Sequence, residues 1–215
     1  MTKSRIILMA LIVVAAAVIV LLIAAPAPLK SLLGDEGYKQ LWQLSLASIV
    51  GGLVSAAFSE LKREQDSVDA RREYLRAFHA GALAAYNRAK KCRRLLKAKA
   101  VFDIGAVRNV RQAEYDAQML ELQDVQLKFE SMKRQAVLGG ARFAGEPKLK
   151  DHLKTMQEFL RKVLAEFETF RFPAGIASVP LTELSCLQGL LDDRFVSGFA
   201  DPYDDVEEAL LRLLA

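Results

Sequence analysis

From Gln40 to Ser59 the chain runs for 20 residues without a formal charge, bracketed by Lys39 and Glu60. A soluble amphipathic helix of that length carries charges on its wet face, and this stretch has none to offer. Nearer the N-terminus, Lys3 and Arg5 precede residues 6–25, a further 20 residues without a charged or polar side chain. At a rise of about 1.5 Å per residue, either stretch covers about 30 Å, the thickness of a bilayer's hydrocarbon core. The rest of the chain must therefore be organised around an apolar leader of about 59 residues.

Residues 6–25 read as a membrane anchor. The rival reading is a cleavable signal peptide, since Ala25-Pro26-Ala27 loosely resembles a small-x-small cleavage site. A signal peptide's apolar region is normally about 7–15 residues, shorter than this one. Residues 41–58 read as a second span with a weaker driving force. Leu, Ile, Val and Phe number 13 in residues 6–25 and eight in residues 41–58. At the usual insertion energies these give about −4 to −8 against about −2 to −5 kcal/mol.

The second stretch has an internal pattern. Ser45, Ser48, Gly52, Ser55 and Ser59 recur in steps of three and four, one stripe of a helix. A stripe of small residues lets helix backbones approach closely in lipid, so it is expected to pack on the first span or on another copy of the chain. The alternative is a buried soluble helix using the same small residues for close packing. Tyr38 and Trp42 stand where interfacial aromatics are expected. The expected anchor is then a hairpin over residues 1–59, with spans at 6–25 and 41–58 and a short loop at 26–40. Lys62, Arg63, Arg71, Arg72 and Arg76 follow the second span. The positive-inside rule places both termini in the cytoplasm, at what reads as a bacterial inner membrane.

Beyond the anchor the pattern changes to helical stripes in charged sequence. A stripe through Leu61, Val68, Leu75, Phe78, Ala82, Ala85, Ala89, Cys92 and Leu96 has charged residues in its early turns, so residues 60–76 read as a charged stalk and residues 77–215 as a cytoplasmic helical domain. A second helix is expected from about Ala106 to Leu138, with Tyr115, Met119, Leu122, Val125, Phe129, Met132 and Ala136 on one face. A third, starting near Pro147, shows Leu149, Leu153, Met156, Leu160, Val163, Phe167 and Phe170 at coiled-coil-like spacing. A closing helix is expected to start with Asp201 as N-cap and Pro202 in its first turn. No stretch alternates with period two for long enough to predict a sheet. The expected fold is all-α: a transmembrane helical hairpin followed by an antiparallel, elongated helical bundle.

Motifs for chemistry fail one by one. His79 and His152 stand on different helices without cysteines at ligand spacing. Cys92 and Cys186 are isolated, the pattern of buried thiols. Residues 140–147, GARFAGEP, have two glycines at phosphate-loop spacing but continue with Glu-Pro where Lys-Ser/Thr is required. The acid-rich DPYDDVEE lacks the glycine and glutamate of a calcium loop, holding Val206 and Arg212 at those positions. No catalytic residue, cofactor or metal is assigned.

The most basic stretch, residues 87–100, carries Arg88, Lys90, Lys91, Arg93, Arg94, Lys97 and Lys99, with no acid between Glu73 and Asp103. Such patches attract nucleic acid or anionic headgroups. The C-terminal block, residues 181–215, carries two cations and eight acids, and is expected to neutralise part of the basic block from within. The sequence reading is a membrane-anchored, non-catalytic scaffold or partner-binding module at the cytoplasmic face, self-association included. A binding module for an anionic ligand through the basic stretch is the alternative, and an enzyme with a site assembled from scattered residues is the third.

Overall fold

The computed structural model describes Ala17, Val20, Ala24 and residues 26–215. The chain divides into two compact units, one ending at Asp69 and the other running from Ala70 to Ala215. The span expected at residues 6–25 lies outside the described residues apart from Ala17, Val20 and Ala24, which are helical and exposed.

Helix α1 covers Pro26–Leu95 and is interrupted once, at Gly34, whose φ of 71° and ψ of 168° are not helical. A side chain disfavours that conformation, which explains a glycine there. Residues 26–40, expected as a loop, are thus helical on both sides of Gly34. Among the described residues one helix has the length and composition to cross a membrane, Gly34–Ala100; its apolar window has a mean hydropathy of 1.6, with none of it buried. Leu44, Leu46, Val50, Leu53, Val54 and Phe58 are all exposed. Of the serine–glycine stripe only Ser45 is half-buried, while Ser48, Gly52, Ser55 and Ser59 are exposed. A Cβ added at Gly52 would meet no atom within 4 Å among the described residues. The half-buried line runs instead through Tyr38, Trp42, Ser45, Ile49 and Ala56, with the Trp42 indole donating to the Tyr38 hydroxyl at 3.0 Å.

In the second unit the stripes become a core. Along α1, Leu75, Phe78, Ala82, Ala85, Ala89, Cys92 and Leu96 are buried, whereas Leu61 and Val68 are 59% and 45% exposed. A π-helical turn, Leu96–Ala100, ends α1 and leads into β1, Val101–Ile104. A two-residue turn joins β1 to β2, Val107–Arg111, with Gly105 at a φ of 61°. Helix α2 follows at Gln112–Leu138, then α3 at Leu149–Thr169, β3 at Ser178–Pro180, a short α4 at Ser185–Leu191 and α5 at Asp201–Leu214. The seven apolar positions read on the second helix are all buried.

Four expectations are corrected. A sheet exists: β1, β2 and β3 pair antiparallel in that order, with Val101 opposite Val110 and Val110 opposite Val179. Its strands are too short to show period-two alternation, and the third comes from the far side of α2 and α3. The second helix consequently starts at Gln112 and not near Ala106, because Val107–Arg111 is committed to the sheet. The seam on α3 is no coiled coil. Gln157 and Leu164 are buried beside Leu153, Met156 and Leu160, a face wider than a two-helix seam, and it packs on α2, α4 and α5 together. Asp201, finally, is not a cap. It has helical φ and ψ, and a π-helical turn at Val196–Ala200 leads into α5, so the chain enters that helix already coiled.

That π turn drives Phe199 into the centre of the unit. Its ring lies 5.5 Å from Phe129 edge-on, 5.3 Å from Phe195, 6.3 Å from Phe159 and 6.0 Å from Tyr86. Gly198 permits the approach, since a Cβ there would sit 2.4 Å from the Phe159 ring. Truncating Phe199 to alanine is expected to cost about 3–5 kcal/mol, the range for a buried aromatic. Gly198→Ala is expected to lower the melting temperature through overpacking. Thermal unfolding of the full-length protein in detergent measures both.

Candidate functional site

The basic stretch is divided between the interior and the surface. Arg88 is spent on α2: its Nε donates to Glu121 at 2.7 Å and its Nη2 to Asp124 at 3.1 Å. The hydrogen bond to Glu121 holds the guanidinium firmly in its charged form. Lys90 lies over the Tyr86 ring, 4.9 Å from its centroid. That ring stacks in turn on Tyr203 of α5 at 3.8 Å.

Arg93 has a structural task. It donates to the carbonyl oxygens of Leu190, Leu191 and Asp192 at 2.8, 3.1 and 3.1 Å, and its guanidinium stacks 4.6 Å from Phe195. Those carbonyls end α4, a helix of seven residues. A helix so short is unstable alone. Its other end is satisfied by Glu166 of α3, whose carboxylate accepts from the backbone N–H groups of Cys186 and Leu187, each at 2.8 Å. An anion at the N-terminus and a cation at the C-terminus match the helix dipole. One member of the basic stretch is therefore a fixed part of the fold.

Lys91, Arg94, Lys97 and Lys99 remain exposed, with no ion pair among the described residues. The ammonium of Lys97 is destabilised chiefly by partial burial and then by Arg93 and Arg108, against which Asp193 and Asp192 act. Arg108 stands on β2, exposed. It joins this cationic surface only because the hairpin folds back on the end of α1, so a reading without a sheet had no means of including it. Half of the eight acids of the closing block are engaged elsewhere, Asp192 with Arg194 among them. Asp205 meets His152 at 3.2 Å, Glu207 meets His79 at 3.5 Å, and Glu208 pairs with Arg212 at 2.7 Å. Internal neutralisation of the basic stretch falls mainly to Glu121 and Asp124 of α2 and to backbone carbonyls.

Both histidines sit beside carboxylates of α5, on different helices. Cys92 is buried, which pushes its thiol up to about 11, so it stays protonated and weakly nucleophilic at neutral pH. Cys186 is free and half-buried. Among the described residues no group of three His, Cys, Asp or Glu side chains is placed to hold a metal ion. Residues 140–147 form the turn between α2 and α3, and bury Phe143 against Phe78 at 5.0 Å and Tyr74 at 6.0 Å. That loop is a packing element. No known protein family, curated protein or solved structure matches the chain.

Inside and outside members of the basic stretch should separate in a simple comparison. Arg93→Met keeps the aliphatic stem but removes three charge-assisted hydrogen bonds, with an expected cost of about 1.5–3 kcal/mol. Lys91→Ala should change stability by no more than about 0.5 kcal/mol. Thermal unfolding of the two variants in parallel checks the assignment.

Proposed function

We propose that this protein is a membrane-tethered, non-catalytic interaction module, whose second unit is held at the cytoplasmic face to bind a protein partner or another copy of the chain. The observation that carries this reading is the outward apolar surface of α1 over residues 41–58, where Leu44, Val50, Val54 and Phe58 have no cover among the described residues. Lipid is the environment in which such a surface is stable without a protein partner. The Trp42–Tyr38 pair at the start of the stretch suits an interfacial aromatic belt. The second unit, residues 70–215, is built around its own aromatic core, and the tested chemical motifs are absorbed into packing.

In the finer form of the proposal, residues 6–25 supply a first crossing, residues 41–58 a second, and both termini are cytoplasmic. Reporter fusions test it. Alkaline phosphatase is expected to be active when fused at Gly34 and inactive when fused at Ala215. Activity at Ala215 places the second unit outside and overturns the assignment.

A second reading is favoured by the exposure of Lys91, Arg94, Lys97 and Lys99 with Arg108 beside them. This surface would bind an anionic ligand, nucleic acid or lipid headgroups, through charge. Removing the acidic C-terminal block is not a clean test, because Phe195, Phe199, Tyr203, Val206 and Leu210 within it are core residues. Neutralising Lys91, Arg94, Lys97 and Lys99 to glutamine leaves the core untouched. If the surface binds anions, retention on heparin falls in that variant and loses most of its salt dependence. Equal retention by wild type and variant removes the second reading.

A further inference from the structure

At the end where α2 begins and α3 stops lies a cleft of about 520 Å³ that the reading above does not use. Its wall is aromatic: Tyr115 from α2, Phe167 from α3, and Phe170 and Phe172 from the segment after it. The Tyr115 ring lies 5.5 Å from Phe167 edge-on and 5.9 Å from Phe172, and Phe170 meets Phe172 at 5.3 Å, nearly perpendicular. The three phenylalanines are half-buried and line the cleft. Two carboxylates, Asp116 and Glu168, complete the lining with Gln112 and Arg171.

The charges in this lining are unevenly committed. Arg171 is held at the end of α3, its Nη1 donating to the carbonyl oxygens of Glu168 and Phe170 at 2.7 and 3.0 Å. Neither the Asp116 nor the Glu168 carboxylate accepts a hydrogen bond or ion pair among the described residues. Helix α3 points its negative dipole end at the same place. Tyr115 is 1% exposed, and its buried hydroxyl has no hydrogen-bond partner among the described residues. A neighbouring cleft of about 490 Å³ shares Gln112 and Asp116 and adds Glu114 and Arg111.

Aromatic rings beside two carboxylates, whose charge the single Arg171 offsets only in part, favour a cation of large radius and low hydration cost. A metal ion is a poor fit, since the lining offers apolar rings in place of converging ligands. An anion would face two carboxylates and a helix C-terminus against one guanidinium, that of Arg171. We propose that this aromatic–acidic cleft binds a quaternary ammonium group. Volumes of this size accommodate small organic ligands. The function proposed above neither requires nor supplies such a ligand.

The experiment titrates choline chloride into full-length protein in a maltoside detergent, which carries no ammonium group, with sodium chloride matched throughout. Ligand-observed NMR reads occupancy. Saturable choline binding is expected, and the neutral alcohol with carbon in place of the choline nitrogen should bind at least about tenfold more weakly. Asp116→Asn and Phe170→Ala should each weaken choline binding about five- to tenfold, with melting temperature unchanged for Asp116→Asn. Adding phosphatidylcholine to the micelles distinguishes the source of the group. Competition assigns the cleft to the lipid headgroup, and unchanged choline binding assigns it to a free solute. No saturable binding, equal binding of the neutral alcohol, or full binding by a well-folded Asp116→Asn variant each overturns the proposal.

Discussion

Everything in the second unit converges on Phe199. Rings from α1, α2 and α3, together with Phe195, surround it, and the whole arrangement depends on the π turn at Val196–Ala200 that carries it inward. The alanines of α1 are the counterpart. Ala82, Ala85 and Ala89 are buried, where larger side chains would hold α1 away from its neighbours. Large rings on the late elements and small residues on the early helix are thus two halves of one packing solution, in which density close to that of a crystal leaves little room for change on either side.

The second organising device is electrostatic but local. Helix α4 is clamped by Glu166 at its N-terminus and Arg93 at its C-terminus, each bonding backbone groups that a seven-residue helix cannot satisfy internally. Bonds of this kind between a charged side chain and helix ends contribute more than exposed ion pairs, which are worth about 0–1 kcal/mol. They also join α1 and α3 to a segment remote from both in sequence. Charge in this protein is therefore divided: part of it builds the fold, and the rest stays exposed on surfaces of the second unit.

Those surfaces have opposite character. One carries the exposed cations at the end of α1, with Arg108 from the hairpin. The other is the aromatic cleft bordered by Asp116 and Glu168 at the end of α3.

The stripes of α1, α2 and α3 could be read in advance because three- and four-residue spacing is a local property: Leu75 to Leu96, Tyr115 to Ala136 and Leu149 to Val163 are buried where periodicity placed them. The charge-free stretch after Gln40 and the basic stretch after Asn87 were equally visible, since composition needs no fold. Long-range geometry decided the rest. Three strands too short for a period became a sheet only when Val179 met Val110. The face of α3, which spacing alone made a coiled-coil seam, proved to be shared among several elements. Arg93 and Lys91 are two residues apart and chemically alike, yet one turns to the carbonyls of α4 and the other to solvent, because only one lies on the side of the helix where α4 docks. The aromatic cleft draws on residues from α2, α3 and the segment that follows, and no spacing within a single element marks residues that meet only after the chain has packed.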